Sequence, residues 1–208
     1  MTSSTLRTTA LLAAIASATL LSACAPLIVG GAVLGGTLMA TDRRTSGTQI
    51  EDEAIELKSM NRIRELLGDR GHVSATSYNR MVLLTGQVPS EADKTAVEQS
   101  VQQVQNVRST VNELQVAGAT SLTSRSNDTV LTSKVQASLI DAKDLSAKAI
   151  KVVTERGVVY LMGRVTEREA KRAVEIARGV GGVQKVVRVF DTITEQELAD
   201  ITPKAPVK

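Results

Sequence analysis

The 208-residue chain has no tryptophan, one phenylalanine, two tyrosines, one histidine, one cysteine and four prolines. Each shortage closes a class of function. With only Tyr78, Tyr160 and Phe190 as aromatics, it has no series of rings on which single-stranded nucleic acid stacks. The formal net charge of +3, from 25 Lys and Arg against 22 Asp and Glu, is not the basic signature of a nucleic-acid partner. His72 stands alone, so neither a His-based dyad nor a histidine metal pair can be built; it flanks the extended stretch opening at Val73. With Cys24 as the sole cysteine there is no intramolecular disulfide, and stability has to come from burial. The apolar runs at residues 10–21 and 27–40 fall short of the roughly 20 residues a membrane helix needs. The second also carries Gly30, Gly31, Gly35 and Gly36, which make a stable free helix unfavourable.

What is present begins at that cysteine. A short polar start with Arg7, the apolar run and then small residues form the pattern of a secretory signal peptide. Leu21-Ser22-Ala23-Cys24 resembles the lipobox of bacterial lipoproteins. In that class the cysteine becomes residue one of the mature protein and carries the acyl chains. Cys24 is therefore the expected lipid attachment site, and residues 1–23 are removed. Ala25, rather than Asp, after the cysteine resembles lipoproteins sorted to the outer membrane. Residues 24–52 read as a lipidated N-terminus and linker, polar from Thr41 with Asp42-Arg43-Arg44 and Gly47, and residues 194–208 read as a C-terminal tail.

Between these ends the sequence repeats. Met81-Val82-Leu83-Leu84-Thr85-Gly86-Gln87-Val88 matches Val158-Val159-Tyr160-Leu161-Met162-Gly163-Arg164-Val165, and the match runs on through Lys94/Lys171, Ala96/Ala173, Val97/Val174 and Glu98/Glu175. Two copies of this length indicate a small domain used twice, since solenoids stack three or more shorter units. The expected domains are 53–117 and 127–193, joined by a linker at 118–126.

In the second copy, Ser126, Asn127 and Asp128 offer capping side chains before a helix whose Val130, Leu131, Val135, Leu139 and Ile140 share a face. Ile150 and Val152 alternate as a strand, and Arg156-Gly157 turns the chain. Residues 158–165 form a strand apolar enough to be covered on both faces. Thr166 and Glu169 form a capping box for a helix with Ala170, Ala173, Val174 and Ala177 inside. Gly179, Gly181 and Gly182 end it, and residues 183–190 are the third strand. The first copy gives the same order over 55–67, 73–77, 81–88, 90–104 and 107–116. The fold class is α+β: two tandem αββαβ domains, each a three-stranded mixed sheet packed against two helices.

The glycine in Leu-x-Gly-x-Val after the second strand, followed by a helix and a valine-rich strand, resembles the BON domain. Two such domains behind a lipobox resemble the dual-BON outer-membrane lipoproteins of proteobacteria, the DolP/YraP group. The match rests on Ala40-Thr41-Asp42-Arg43-Arg44, Gly47-Thr48-Gln49, Ser126-Asn127-Asp128-Thr129 and the stretch from Leu161 to Ala170. The resemblance implies a periplasmic, lipid-anchored protein that binds phospholipid, favouring acidic headgroups, and supports outer-membrane integrity. It also implies enrichment at division sites. Outer-membrane assembly proteins are the alternative partners, with the domains as a protein-binding scaffold; nucleic acid and small-molecule substrates are not expected.

The residues themselves offer no catalytic set. The Glu and Arg/Lys run from Glu167 to Arg178 reads as a solvated helix face, and the glycines at 179–182 follow a helix whereas phosphate-cradling loops precede one. No enzyme activity, metal or cofactor is expected. Gly86 and Gly163 have a structural role, letting a helix approach its strand. The candidate phospholipid site is the opening helix of the second domain. Arg125 and Lys143 flank it, Lys134 lies one turn in, and Val130 and Leu131 offer an apolar edge to dip among acyl chains. The same two apolar residues fit a core position equally well.

Overall fold

The computed structural model describes residues 42–118 and 120–202. Cys24, the apolar segment 27–40 and residues 203–208 lie outside them. The first domain runs α1 (Ser46–Leu67), β1 (His72–Tyr78), β2 (Met81–Val88), α2 (Glu91–Gln102), β3 (Ser109–Asn112) and β4 (Gln115–Val116). The second runs α3 (Leu122–Asp141), a 3-10 turn (Ala147–Ala149), β5 (Ile150–Glu155), β6 (Val158–Thr166), α4 (Glu167–Gly179) and β7 (Lys185–Ile193), and a short helix α5 (Glu195–Ile201) follows.

The order αββαβ holds in both halves. β1 pairs antiparallel with β2 through Ser77↔Val82, and β5 with β6 through Thr154↔Val159. The strand after each crossover helix lies parallel to the middle strand: β7 along the whole of β6, and β3 and β4 together along β2. β3 and β4 are one strand interrupted where Leu114 turns into the core and is 2% exposed.

Helix starts follow capping rather than apolar periodicity. Thr45 and Ser121 accept the amide hydrogens of Thr48 and Ser124, so α1 and α3 begin at Ser46 and Leu122. Both starts fall before the expected domain limits of 53 and 127. The first turns of these helices carry no apolar stripe because they lie outside the core, and so residues 46–52 belong to a helix and not to a linker. Ser126, Asn127 and Asp128 are likewise inside α3, not before it. The expected tail contains α5, which opens on a capping box of Thr194 and Glu197. The capping box of Thr166 and Glu169 forms as read from the sequence.

Each middle strand is covered twice. On one face, Val82, Leu84 and Val88 pack beneath Ile55, Ile63 and Leu67 of α1 and Val97 and Val101 of α2. Val159, Leu161 and Val165 pack in the same way beneath Leu131, Val135 and Leu139 of α3 and Ala170, Ala173 and Ala177 of α4. The alternate residues face the other way, as the period of two requires. Leu83 and Tyr78 from the first sheet meet Tyr160, Met162 and Val189 from the second in a third cluster. The two sheets thus pack on each other, with helices on their outer faces. Polar groups close the seam: Tyr78 Oη donates to Ala149 O at 3.3 Å and Gln87 Nε2 to Glu155 at 2.6 Å. Burial and the neighbouring Asp42 charge push the Tyr78 hydroxyl up to about 12.

Gly86 is required by the neighbouring strand β1 and Gly163 by the end of the 3-10 turn that leads into β5, and the expectation that they make room for a helix is corrected. A Cβ on Gly86 would stand 2.0 Å from the carbonyl oxygen of His72, and one on Gly163 2.4 Å from that of Ala149. Gly86 also sits at φ +115°, where an L side chain is strained.

Candidate functional site

The site is built around α3 and the turn between β5 and β6. Arg156 and Gly157 both have positive φ, 50° and 76°, the backbone of a type I′ hairpin. Such a turn leaves two amide hydrogens pointing outward. Asp128 of α3 takes both, with Oδ2 accepting from Arg156 N and Oδ1 from Gly157 N, each at 2.8 Å. A side chain read as a helix cap therefore staples the helix to the hairpin.

The first domain has the same staple. Asp52 of α1 accepts from Asn79 N and Arg80 N, each at 2.8 Å, and those residues also have positive φ. It accepts in addition from Ser77 Oγ at 2.6 Å and from Arg44 at 2.9 Å. Asp52 is marked by no motif in the sequence, and Asp128 stands in Ser126-Asn127-Asp128-Thr129 only as a candidate cap. The available signal was a polar residue on the apolar face of each helix.

Beside Asp128 the second domain opens a groove of about 570 Å³ lined by Asn127, Val130, Lys134, Arg156, Gly157 and Gly182 among others. Val130 is 54% exposed, whereas Leu131 is 7% exposed and belongs to the core with Val135 and Leu139. One helical step of 100° separates them, so the apolar pair does not form one edge. Lys134 is exposed on the groove. Arg125 is half-buried and turns back to donate to Thr120 O at 3.1 Å. Lys143 lies past the C-terminus of α3, roughly 25 Å along the axis from Arg125. Of the five candidates, the structure brings Val130, Leu131 and Lys134 to the groove, with Leu131 as its buried wall. The other two lie away from it.

Other groove residues were missed in the sequence. Gly181 and Gly182 follow α4, yet the chain reversal after that helix returns them to α3. Arg156 arrives on the hairpin turn. Neither Lys134 nor Arg156 forms an ion pair among the described residues.

The segment before α1 is not a free linker. Arg43 forks both oxygens of Glu169 and donates to Arg164 O at 2.9 Å. Arg44 pairs with Asp42 and Asp52 and lies 4.1 Å from the centre of the Tyr78 ring. Adjacent arginines thus bind opposite domains. Burial works against the Glu169 charge, but Arg43 and the Thr166 amide outweigh it and hold the carboxyl below its usual range. Glu169 is 4% exposed, and so it leaves the solvated face expected for the charged run of α4. The other charges of that run from Glu167 to Glu175 pair at the surface, as Glu167 does with Arg188.

The BON domain family model matches residues 51–118 and 127–193, the two repeats. The chain belongs to the BON domain family. Outer membrane lipoprotein DolP of Haemophilus influenzae is 37% identical to it over 172 residues, 82% of this chain and 89% of that protein. The 21 kDa hemolysin of Actinobacillus pleuropneumoniae is 29% identical, covering 73% of this chain and 79% of its own. Osmotically-inducible protein Y of Escherichia coli is 30% identical, covering 67% of this chain and 72% of its own. In this chain the groove belongs to the second BON domain, and the two staple aspartates make the two BON domains internal references for each other.

Proposed function

We propose that this chain is a lipoprotein of the outer membrane, held on its periplasmic face by acyl chains on Cys24. There its second BON domain binds phospholipid, favouring anionic headgroups, and so supports membrane integrity. The similarity to DolP supports the membrane and the anchor. The observation that carries the choice of domain is charge. Residues 120–193 hold thirteen Lys and Arg against eight Asp and Glu, whereas residues 42–118 hold nine against eleven. An anionic surface attracts the former and not the latter. Within the second domain, exposed Val130 next to unpaired Lys134 puts an apolar contact beside a cation on one helix, the pairing an interfacial helix uses.

Flotation of a soluble form lacking residues 1–38 with acidic and with neutral vesicles tests this. Selective recovery with acidic vesicles, falling as salt rises, is the expected result. Indifference to vesicles, together with capture of an envelope protein, would favour a protein-binding scaffold instead.

A further inference from the structure

In the first domain, two side chains beside the hairpin turn converge on one anion. Asn79, on the turn, donates from Nδ2 to Asp191 Oδ2 at 2.7 Å, and the guanidinium of Arg108, the residue before β3, pairs with Asp191 Oδ1 at 3.2 Å. The staples identify the counterpart of Asn79. Asp52 and Asp128 take the turn amides in the same order, so Arg156 stands in the place of Asn79. One further backbone bond identifies the counterpart of Arg108. Arg108 N donates to Arg80 O at 2.8 Å and Gln184 N to Gly157 O at 2.9 Å, so Gln184, the residue before β7, stands in its place. The same two groups, a guanidinium and a carboxamide, are thus present with their positions exchanged.

In the second domain the pair has no protein partner. Among the described residues, neither the Arg156 nor the Gln184 side chain forms a hydrogen bond or an ion pair. The two are neighbours. Gln184 Nε2 lies 3.0 Å from where a Cβ on Gly157 would stand, so the glycine lets the carboxamide rest on the turn beside Arg156. Both residues line the groove with Lys134, and the one acid among its lining residues, Asp128, already accepts from the turn amides. Gln184 also borders an adjoining groove that carries Arg178 and Lys185. A guanidinium, a carboxamide and an ammonium on one groove, amid surplus positive charge, are a donor set for an oxyanion.

We propose that Arg156 and Gln184 seat the phosphate of an anionic phospholipid, with Lys134 as the third donor. The ligand class is a phosphodiester, and its seat lies between the β5–β6 turn and the residue before β7, with α3 as one wall. This rests on the phospholipid reading above and adds to it two phosphate-binding residues outside the helix. Hydrogen bonds from a guanidinium fork and a carboxamide are directional, so losing them weakens binding even where the charge is kept.

The test uses the soluble form lacking residues 1–38 and phosphatidylcholine vesicles that carry phosphatidylglycerol. Arg156→Lys keeps the charge and removes the guanidinium fork, and Gln184→Ala removes the carboxamide with no change of charge. Both residues are exposed, and thermal melts check that the variants stay folded. Each variant should bind the vesicles about tenfold more weakly, the factor one hydrogen bond to a charged group supplies. Gln136→Ala, exposed on α3 but off this groove, should bind like the parent. Folded Arg156→Lys and Gln184→Ala variants that bind like the parent overturn the seat and leave the phospholipid reading standing. A parent that binds no acidic vesicle removes that reading and the seat with it.

Glycerol 1-phosphate, added to the vesicle-bound parent, separates the two sources of such a phosphate. Release beyond that caused by sodium chloride at the same ionic strength shows a seat that takes free phosphate esters as well as headgroups. Release equal to that of the salt shows a phosphate held only as part of a membrane. In both cases the loss in Arg156→Lys and Gln184→Ala supports the seat, and its absence overturns it.

Discussion

Arg43 and Glu169, 126 positions apart in the chain, are joined by two hydrogen bonds of 2.7 Å each. Their side chains are 11% and 5% exposed, so this pair is far from the solvent-screened bridges that contribute little. Glu169 also closes the capping box of α4. One carboxylate thus ties the segment before α1 to the second BON domain and satisfies the start of a helix.

Arg43→Ala should destabilise the soluble form by about 3 kcal/mol, because it leaves a buried carboxylate without its cation. The effect should depend on pH. The Glu169 carboxyl lies below its usual 4.5 in the folded state. The stability it contributes is therefore present above that value and lost as pH falls through the lower, folded value. Denaturant melts of parent and variant at neutral pH and below pH 4.5 check both points. The gap between them should narrow in acid, and a constant gap would mean that the pair does not titrate with folding.

Gly86→Ala should cost at least about 2 kcal/mol, combining overpacking against the His72 carbonyl with a positive φ. Gly118→Ala is the matched control. Nothing lies within 4 Å of its Cβ position, and its effect should stay within about 0.5 kcal/mol. Thermal melts of the two variants compare them directly.

Val130→Asp with Lys134→Glu should leave the fold intact and weaken recovery with acidic vesicles. It removes one exposed apolar contact and reverses a charge worth about 1 kcal/mol at an anionic surface. Leu57→Asp on α1, at a site 65% exposed, should change vesicle recovery less. Equal recovery of parent and double variant would move the lipid contact away from α3.

Cys24→Ser should leave the protein uncleaved or released into the periplasm, because no acyl anchor forms. Palmitate labelling with membrane fractionation reads this out, and normal labelling of the variant would remove the anchor from the proposal.

Much of this protein is legible in one dimension. The repeat, the strands, the capping box at Thr166 and the αββαβ order follow from period-two and helical spacing, because those patterns record which local face meets a core. The run at 158–165 also announced cover on both faces. It did not say that the second cover is the other sheet, since apolar side chains bear no address. Leu131 and Val130 illustrate the same limit within one helix: both fit an apolar stripe, and only the packed register puts one inside and one on the groove. The polar residues were the least legible. Asp52 and Asp128 look like helix-surface or capping residues, and Asp42-Arg43-Arg44 looks like linker. Their roles depend on amides and carboxylates delivered from distant segments. Local pattern determined the elements; the meeting of hairpin turns, strap and helices in three dimensions decided the groove, because hydrogen-bond partners far apart in sequence leave no periodic trace.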